Sequence, residues 1–354
     1  MIPALRTGFA STLDALATWW RARAERPEDS ARLAVRPFFD APATPAETTE
    51  AIHAEDAFRE FISFALDQQP RPPAPEDLDD THHAMIKLAS VALSNLEVQA
   101  KYLPRRPSLL PRLLSTMNSE QSSMRELAAI IGDDPALMGN LVRLANSAFY
   151  RGVRKSVESL ERAVTMVGID GIRGIIATAL LHPVMSARQG LFATFPEIIW
   201  EQTLYAADAA EMHAVHVEKS NGFGARLLAL LQGLATNAVF RIVRDECLED
   251  RGAEAKPAVE VLLAEWAVPM ARRIASTWEM PNDLQNALDD AQGQGALHRS
   301  MCFGRLAGAQ ILMVKRGRIK EPSARAILLA GDDRRMQSGR VWNRLAAAHL
   351  KLPR

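Results

Sequence analysis

Cysteine is nearly absent from this 354-residue chain, which has only Cys247 and Cys302. Two thiols cannot build a disulfide framework or a zinc knuckle, and each reads as a buried or half-buried thiol in a reducing compartment. Cys247 lies in RDECLED, and those acidic neighbours disfavour the thiolate that a nucleophile needs. Aromatic residues make up 6% and no run alternates β-branched with polar residues, which excludes a sheet-built fold. Glycine, at 19 residues, is too sparse for a collagen-like or low-complexity chain. No stretch approaches eighteen uninterrupted apolar residues, so no membrane span is expected. The N-terminal thirty residues read as an amphipathic helix rather than a signal peptide, and the expected location is cytoplasmic. Trp19 and Trp20, beside Arg21, Arg23 and Arg26, fit packing of one indole into a bundle better than a membrane surface. The motifs GxSxG, GxxxxGK[ST] and GxGxxG are missing, which removes the common hydrolase and nucleotide-binding signatures.

Net charge is also missing, since 42 Lys and Arg balance 42 Asp and Glu. A zero sum argues against a wholesale nucleic-acid binder. It conceals a gradient: residues 1–100 carry −7, residues 101–196 carry +5 and the remainder +2. Opposite signs make docking of the first segment on the rest plausible, where it would mask a basic partner surface.

The chain does have helical periodicity. Leu137, Leu141, Leu144 and Ala148 form one apolar stripe; Val157, Leu160, Val164 and Val167 form another; Leu227, Leu230, Leu231 and Leu234 form a third. Ser123-Met-Arg-Glu126 is a capping box, and Asp134-Pro135 supplies an N-cap followed by a first-turn proline. Gly168 fits a helix C-terminus, with Asp170 capping the next helix, so short helices are expected over 108–183. Gly222-Phe-Gly224 reads as a turn between helices. The fold class is therefore all-α.

Pro70, Pro72, Pro73 and Pro75 favour an extended linker over 68–80. The expected organisation is an acidic helical appendage over 1–100 carrying that linker, a main domain over 101–320, and a C-terminal helical extension over 321–354.

The segment 103–184 resembles the HDOD domain, a bacterial all-helical signalling module distantly similar to the HD metal-dependent phosphohydrolases. The resemblance is carried by the entry at Pro104 and Pro107, then ELAAIIGDDPAL (126–137), LVRLANSAFY (141–150), SVESLERAVTMVG (156–168) and GIRGI (171–175). Weaker similarity runs to about residue 315. An HD phosphohydrolase holds one or two divalent metals with His and Asp ligands from several helices, including an adjacent His-Asp pair. The resemblance places the first ligand at Gln202, the pair at Gln232 and Gly233, and a further His near Ala267, where residues 264–270 have none. The implied ligand set is missing, so the expectation is no metal, no cofactor and no enzyme. The chain is expected to be a regulatory protein acting through protein contacts, with partners in two-component or cyclic-dinucleotide signalling.

An alternative is a sensor that binds a nucleotide or cyclic dinucleotide in a vestigial metal-free cleft through Gln202 and Gln232, whose amides both donate and accept. Asn146 and Ser147 interrupt an apolar helix face, either to satisfy neighbouring backbone groups or to meet a ligand. Arg143, Arg151, Arg154, Lys155 and Arg173 form either a partner-facing basic patch or a solvated face. The scarcity of aromatics argues against nucleic acid on that patch. His213 and His216, at i and i+3, form half of a zinc site without a third ligand, and His82-His83 reads as surface.

Overall fold

The structure is a computed structural model that describes residues 54–66, 78–115, 127, 130, 160–181 (side chains from 171), 192–247, 253–290, 293–330 and 332–350. The described residues form twelve α-helices and no strand. In chain order these are α1 (Ala54–Leu66), α2 (Asp80–Ser94), α3 (Leu96–Tyr102), α4 (Leu110–Ser115), α5 (Leu160–Leu181) and α6 (Phe195–His213). After a π-helical turn (Ala214–Glu218) come α7 (Gly222–Cys247), α8 (Lys256–Thr277), α9 (Asn282–Asp289), α10 (Ala296–Lys315), α11 (Glu321–Leu329) and α12 (Arg335–His349).

Helix α7 is the axis of the bundle. It is long and apolar enough to cross a membrane by length and composition, yet 94% of that stretch is buried inside the fold. Leu227, Leu230, Leu231 and Leu234 are all buried, as the apolar stripe requires. Helices α2, α3, α5, α6, α8 and α10 surround it. Asn221 caps its start, its side-chain oxygen accepting from the Gly224 amide at 2.9 Å. Gly222 and Gly224 therefore open this helix rather than form a free-standing turn, because Asn221 satisfies a donor that the first turn would otherwise leave orphaned.

Helices α6 and α10 pack closely enough that their backbones touch. A Cβ on Gly304 would lie 2.5 Å from the Ala206 carbonyl oxygen, and one on Gly308 would lie 2.6 Å from the Ala206 nitrogen. Ala206 and Ala210 supply the small facing surface on α6. Backbone cannot swing aside as a side-chain tip can, so these two glycines set the spacing of the pair.

Helix α5 corrects one sequence expectation. It runs unbroken from Leu160 to Leu181, through Gly168 and Asp170. A glycine inside a helix costs only about 1 kcal/mol, and burial of Ile172, Ile175, Ile176 and Leu181 outweighs it.

The proposed boundaries do not separate independent cores. Phe61, Met85, Ala89 and Leu93 from the first hundred residues belong to the same buried cluster as α7. Phe58, Phe61 and Phe64 lie on one face of α1, with ring centroids 5.8 and 6.5 Å apart. Asp79 and His82 form a reciprocal capping box at the start of α2. Asn95 ends α2 and also caps α3, accepting from the Glu97 and Val98 amides. At the other end, Trp342, Leu345 and Ala346 of α12 join the same cluster, and the Trp342 indole donates to Glu321 at 2.6 Å. The boundary at 100 followed charge and composition and the one at 320 the extent of the resemblance, whereas apolar periodicity decides which helices share a core. The prolines of the 68–80 linker lie outside the described residues, as do Trp19, Trp20, the capping box at Ser123 and Asp134-Pro135.

Candidate functional site

The position implied for a His-Asp metal pair lies in the middle of α7, at Gln232 and Gly233. Gly233 is packed against Thr203 of α6. A Cβ at 233 would lie 2.6 Å from the Thr203 methyl carbon and 2.8 Å from its Cβ, and would also collide with the hydroxyl. That hydroxyl donates to the Ile199 carbonyl at 2.6 Å, so it is satisfied within its own helix. One turn further along α7, Asn237 donates to the Gly233 carbonyl at 3.2 Å and Thr236 donates to the Gln232 carbonyl at 2.9 Å.

Gln202 stands elsewhere. It is buried between α6 and α10 and donates to the Arg305 carbonyl at 2.9 Å. Successive helical residues point about 100° apart, so a one-residue slip moves a side chain from one neighbouring helix to another. Thr203, not Gln202, is the α6 residue that faces Gly233. Arg173 is likewise no part of an open basic patch: it is buried, with its guanidinium 5.4 Å over the Phe223 ring. Arg143, Asn146, Ser147, Arg151, Arg154 and Lys155 lie outside the described residues.

Polar chemistry is concentrated in a cluster at one side of the bundle. Arg226 of α7 is buried, donates to Asp208 at 3.0 Å and pairs with Glu211. Its guanidinium lies against Gly174 of α5, where a Cβ would come within 2.8 Å of Nε. The other Asp208 oxygen lies 2.9 Å from His349 Nε2 of α12. Burial alone would raise the Asp208 carboxyl, but the His349 hydrogen bond and the Arg226 charge outweigh it and hold the group below the usual carboxylate range. Four helices thus meet at one satisfied ionic network.

A second cluster holds His213 and the π turn. His213 is buried, stacks on Phe303 with centroids 4.3 Å apart, and lies 3.1 Å from the Ser300 hydroxyl. Burial pushes its pKa down to about 4, against the opposing pull of Glu218 and Asp332. His216 lies 3.0 Å from the Arg344 guanidinium. A cation beside one imidazole and a serine beside the other are no metal environment. Among the described residues no group of three or more His, Cys, Asp or Glu side chains could hold a metal. His82 is also more than surface, since its Nε2 lies 2.9 Å from the Glu254 carbonyl and ties α2 to the turn before α8.

Sequence reasoning read Cys302 only as a structural thiol and passed over its pairing with His298. They lie at i and i+4 on α10, with Nε2 and Sγ 3.3 Å apart. The signal was legible in HRSMC, where the spacing puts both side chains on one helix face.

The fold is that of an all-helical bundle wrapped on one long buried helix. The family model for the HDOD domain matches residues 103–292, more than half of the chain. The structure also resembles an HDOD domain protein of unknown function from Geobacter sulfurreducens, at 18% identity and a TM-score of 0.52, over 76% of this chain and 96% of that one. It is similar as well to a protein from Shewanella amazonensis described as a "putative phosphohydrolase", at 18% identity and a TM-score of 0.51, over 73% of this chain and 94% of that one. No curated protein matches. The chain belongs to the HDOD family.

Proposed function

We propose that this protein is a non-catalytic, cytoplasmic HDOD regulator that acts through protein contacts in a bacterial signalling pathway. The observation that carries this reading is the packing of Thr203 against Gly233. An HD-type centre needs a carboxylate and imidazoles converging on a metal, with room left for water and a phosphoryl group. At the corresponding place on α7 this chain has a residue without a side chain, and a threonine methyl occupies the space beside it. The commitment of the Gln202 amide to the Arg305 carbonyl weighs against the sensor reading, because a nucleotide would have to break that bond.

Metal analysis of the full chain, purified from cells supplied with manganese, iron and zinc, tests the reading. It is paired with hydrolysis assays on bis(p-nitrophenyl) phosphate, nucleotides and cyclic dinucleotides. The expected result is metal well below one equivalent and no turnover. Stoichiometric metal accompanied by hydrolysis would overturn the reading. A rise in melting temperature with a nucleotide, without turnover, would favour the sensor instead.

A further inference from the structure

The chemistry outside these clusters is concentrated at the start of α10. There His298 Nδ1 lies 2.9 Å from the Ala287 carbonyl of α9, and Nε2 lies 3.3 Å from Cys302 Sγ. A carbonyl only accepts, so Nδ1 must carry a hydrogen. That leaves the Nε2 lone pair facing the thiol, the arrangement in which an imidazole takes the S–H proton and then donates from both nitrogens. Both residues are half-buried. The charge of Asp290, in the turn that closes α9, also favours the cationic form of the ring. The neighbouring Arg299 points elsewhere, with its guanidinium engaged by Glu218 and the Gln294 carbonyl.

We propose that Cys302 is a redox modification site, where the His298 imidazole takes the S–H proton as small hydroperoxides oxidise the sulfur to sulfenic acid. The sulfur attacks the distal peroxide oxygen; the S–O bond forms as the O–O bond breaks. The departing alkoxide or hydroxide takes the imidazolium proton and leaves as alcohol or water, so sulfur is oxidised and the peroxide reduced. The raised imidazole pKa, about 9, agrees with the geometry: the Cys302 hydrogen bond lifts it against the effect of burial. Oxidation here would be felt in the bundle, because Cys302 packs on the buried cluster two residues before Gly304, where α10 meets the α6 backbone.

The test is iodoacetamide alkylation of the intact protein at pH 6, with each cysteine followed separately by peptide mass spectrometry. Cys247 is also half-buried and serves as the internal comparator. An imidazole within reach of the S–H speeds attack by the sulfur, so Cys302 should react on the order of tenfold faster than Cys247. His298→Ala should remove that advantage, with folding checked by circular dichroism. With substoichiometric hydrogen peroxide, dimedone should label Cys302 first. Equal rates at the two cysteines in the wild-type chain, or a folded His298→Ala variant that reacts as fast as wild type, would overturn the proposal. Should that variant not fold, His298→Gln, which keeps a polar side chain there without the base, is read in its place, and a folded glutamine variant that reacts as fast as wild type would equally overturn the proposal.

Discussion

Replacing Gly233 by alanine should destabilise this protein although alanine is the better helix former. The substitution gains about 1 kcal/mol in helix propensity. Against that, the new Cβ would lie 2.6 Å from the Thr203 methyl and 2.8 Å from its Cβ, where unstrained carbon pairs sit at roughly 3.5–4.0 Å. Rotating Thr203 cannot relieve the second contact, because its Cβ does not move with χ1. Nor can α6 retreat, since Gly304 and Gly308 already hold α10 against its backbone. With both relaxations blocked, the overpacking cost belongs near the top of the usual ~1–3 kcal/mol, for a net loss of about 2 kcal/mol. Thr203→Gly opens the space, so the double variant Thr203→Gly/Gly233→Ala should be more stable than the sum of the two single effects by about 2 kcal/mol. Urea unfolding followed by circular dichroism measures all four corners of the cycle. An alanine variant as stable as wild type, or a double variant that is merely additive, would refute the reasoning. A carboxylate at 233 would meet the same threonine, so restoring a metal ligand there would require repacking α6 first.

Two further predictions concern the buried charges. His213 has a pKa of about 4 in the folded protein and about 6.5 when unfolded. The unfolded chain therefore takes the proton first, and the stability this group contributes is fully present above pH 6.5 and is lost as pH falls toward 4. Between pH 7 and 4.5 the loss from this residue should be about 2–3 kcal/mol. His213→Gln should lack that component in urea titrations at the two pH values; an identical fall in the variant would count against the assignment. Arg226→Met should cost about 3–5 kcal/mol at pH 7, because Asp208 and Glu211 lose their buried counter-charge. The penalty should shrink toward pH 4 as the stranded carboxylates protonate, whereas a loss independent of pH would mean that the arginine acts by packing alone.

The helical class was legible because period-3.6 stripes such as Leu227 to Leu234 report a buried face directly. Glycine was less informative. Gly168 read as a stop, Gly222 as a turn and Gly233 as a missing ligand, yet the first lies inside α5, the second opens α7, and the third admits Thr203. A glycine shows where a side chain is missing, but the reason depends on what approaches it, and that neighbour is remote in sequence. The same limit explains Gln202. Family spacing names a position on α6 but not the face it presents, and on a helix one residue separates the α7 side, where Thr203 meets Gly233, from the α10 side, where Gln202 bonds Arg305. The Arg226 network was illegible for a similar reason, since its partners come from positions 174, 208, 211 and 349. His298 and Cys302 are the opposite case: their spacing was in plain view, and only the proximity of the Ala287 carbonyl gives the pair its direction.

The charge gradient acquires a different meaning in the folded chain. Helix α1 carries acidic residues onto a basic partner, and Glu55 does meet Arg305 at 2.6 Å. Yet the Glu55 side chain is 74% exposed, and an exposed pair of that kind contributes about 0–1 kcal/mol. Phe61, Ala57, Ile62, Phe64, Ala65 and Leu66 are buried on the same helix, and each large side chain among them contributes about 1.5–3 kcal/mol. Apolar burial therefore outweighs charge several-fold in holding α1 down. Arg305 over Phe58 and Arg318 over Phe64, at 4.5 and 5.0 Å from the ring centroids, add to the same contact. A partner that displaced α1 from α10 would have to supply an apolar face of its own, because competition by charge, or screening by salt, removes only the smaller contribution.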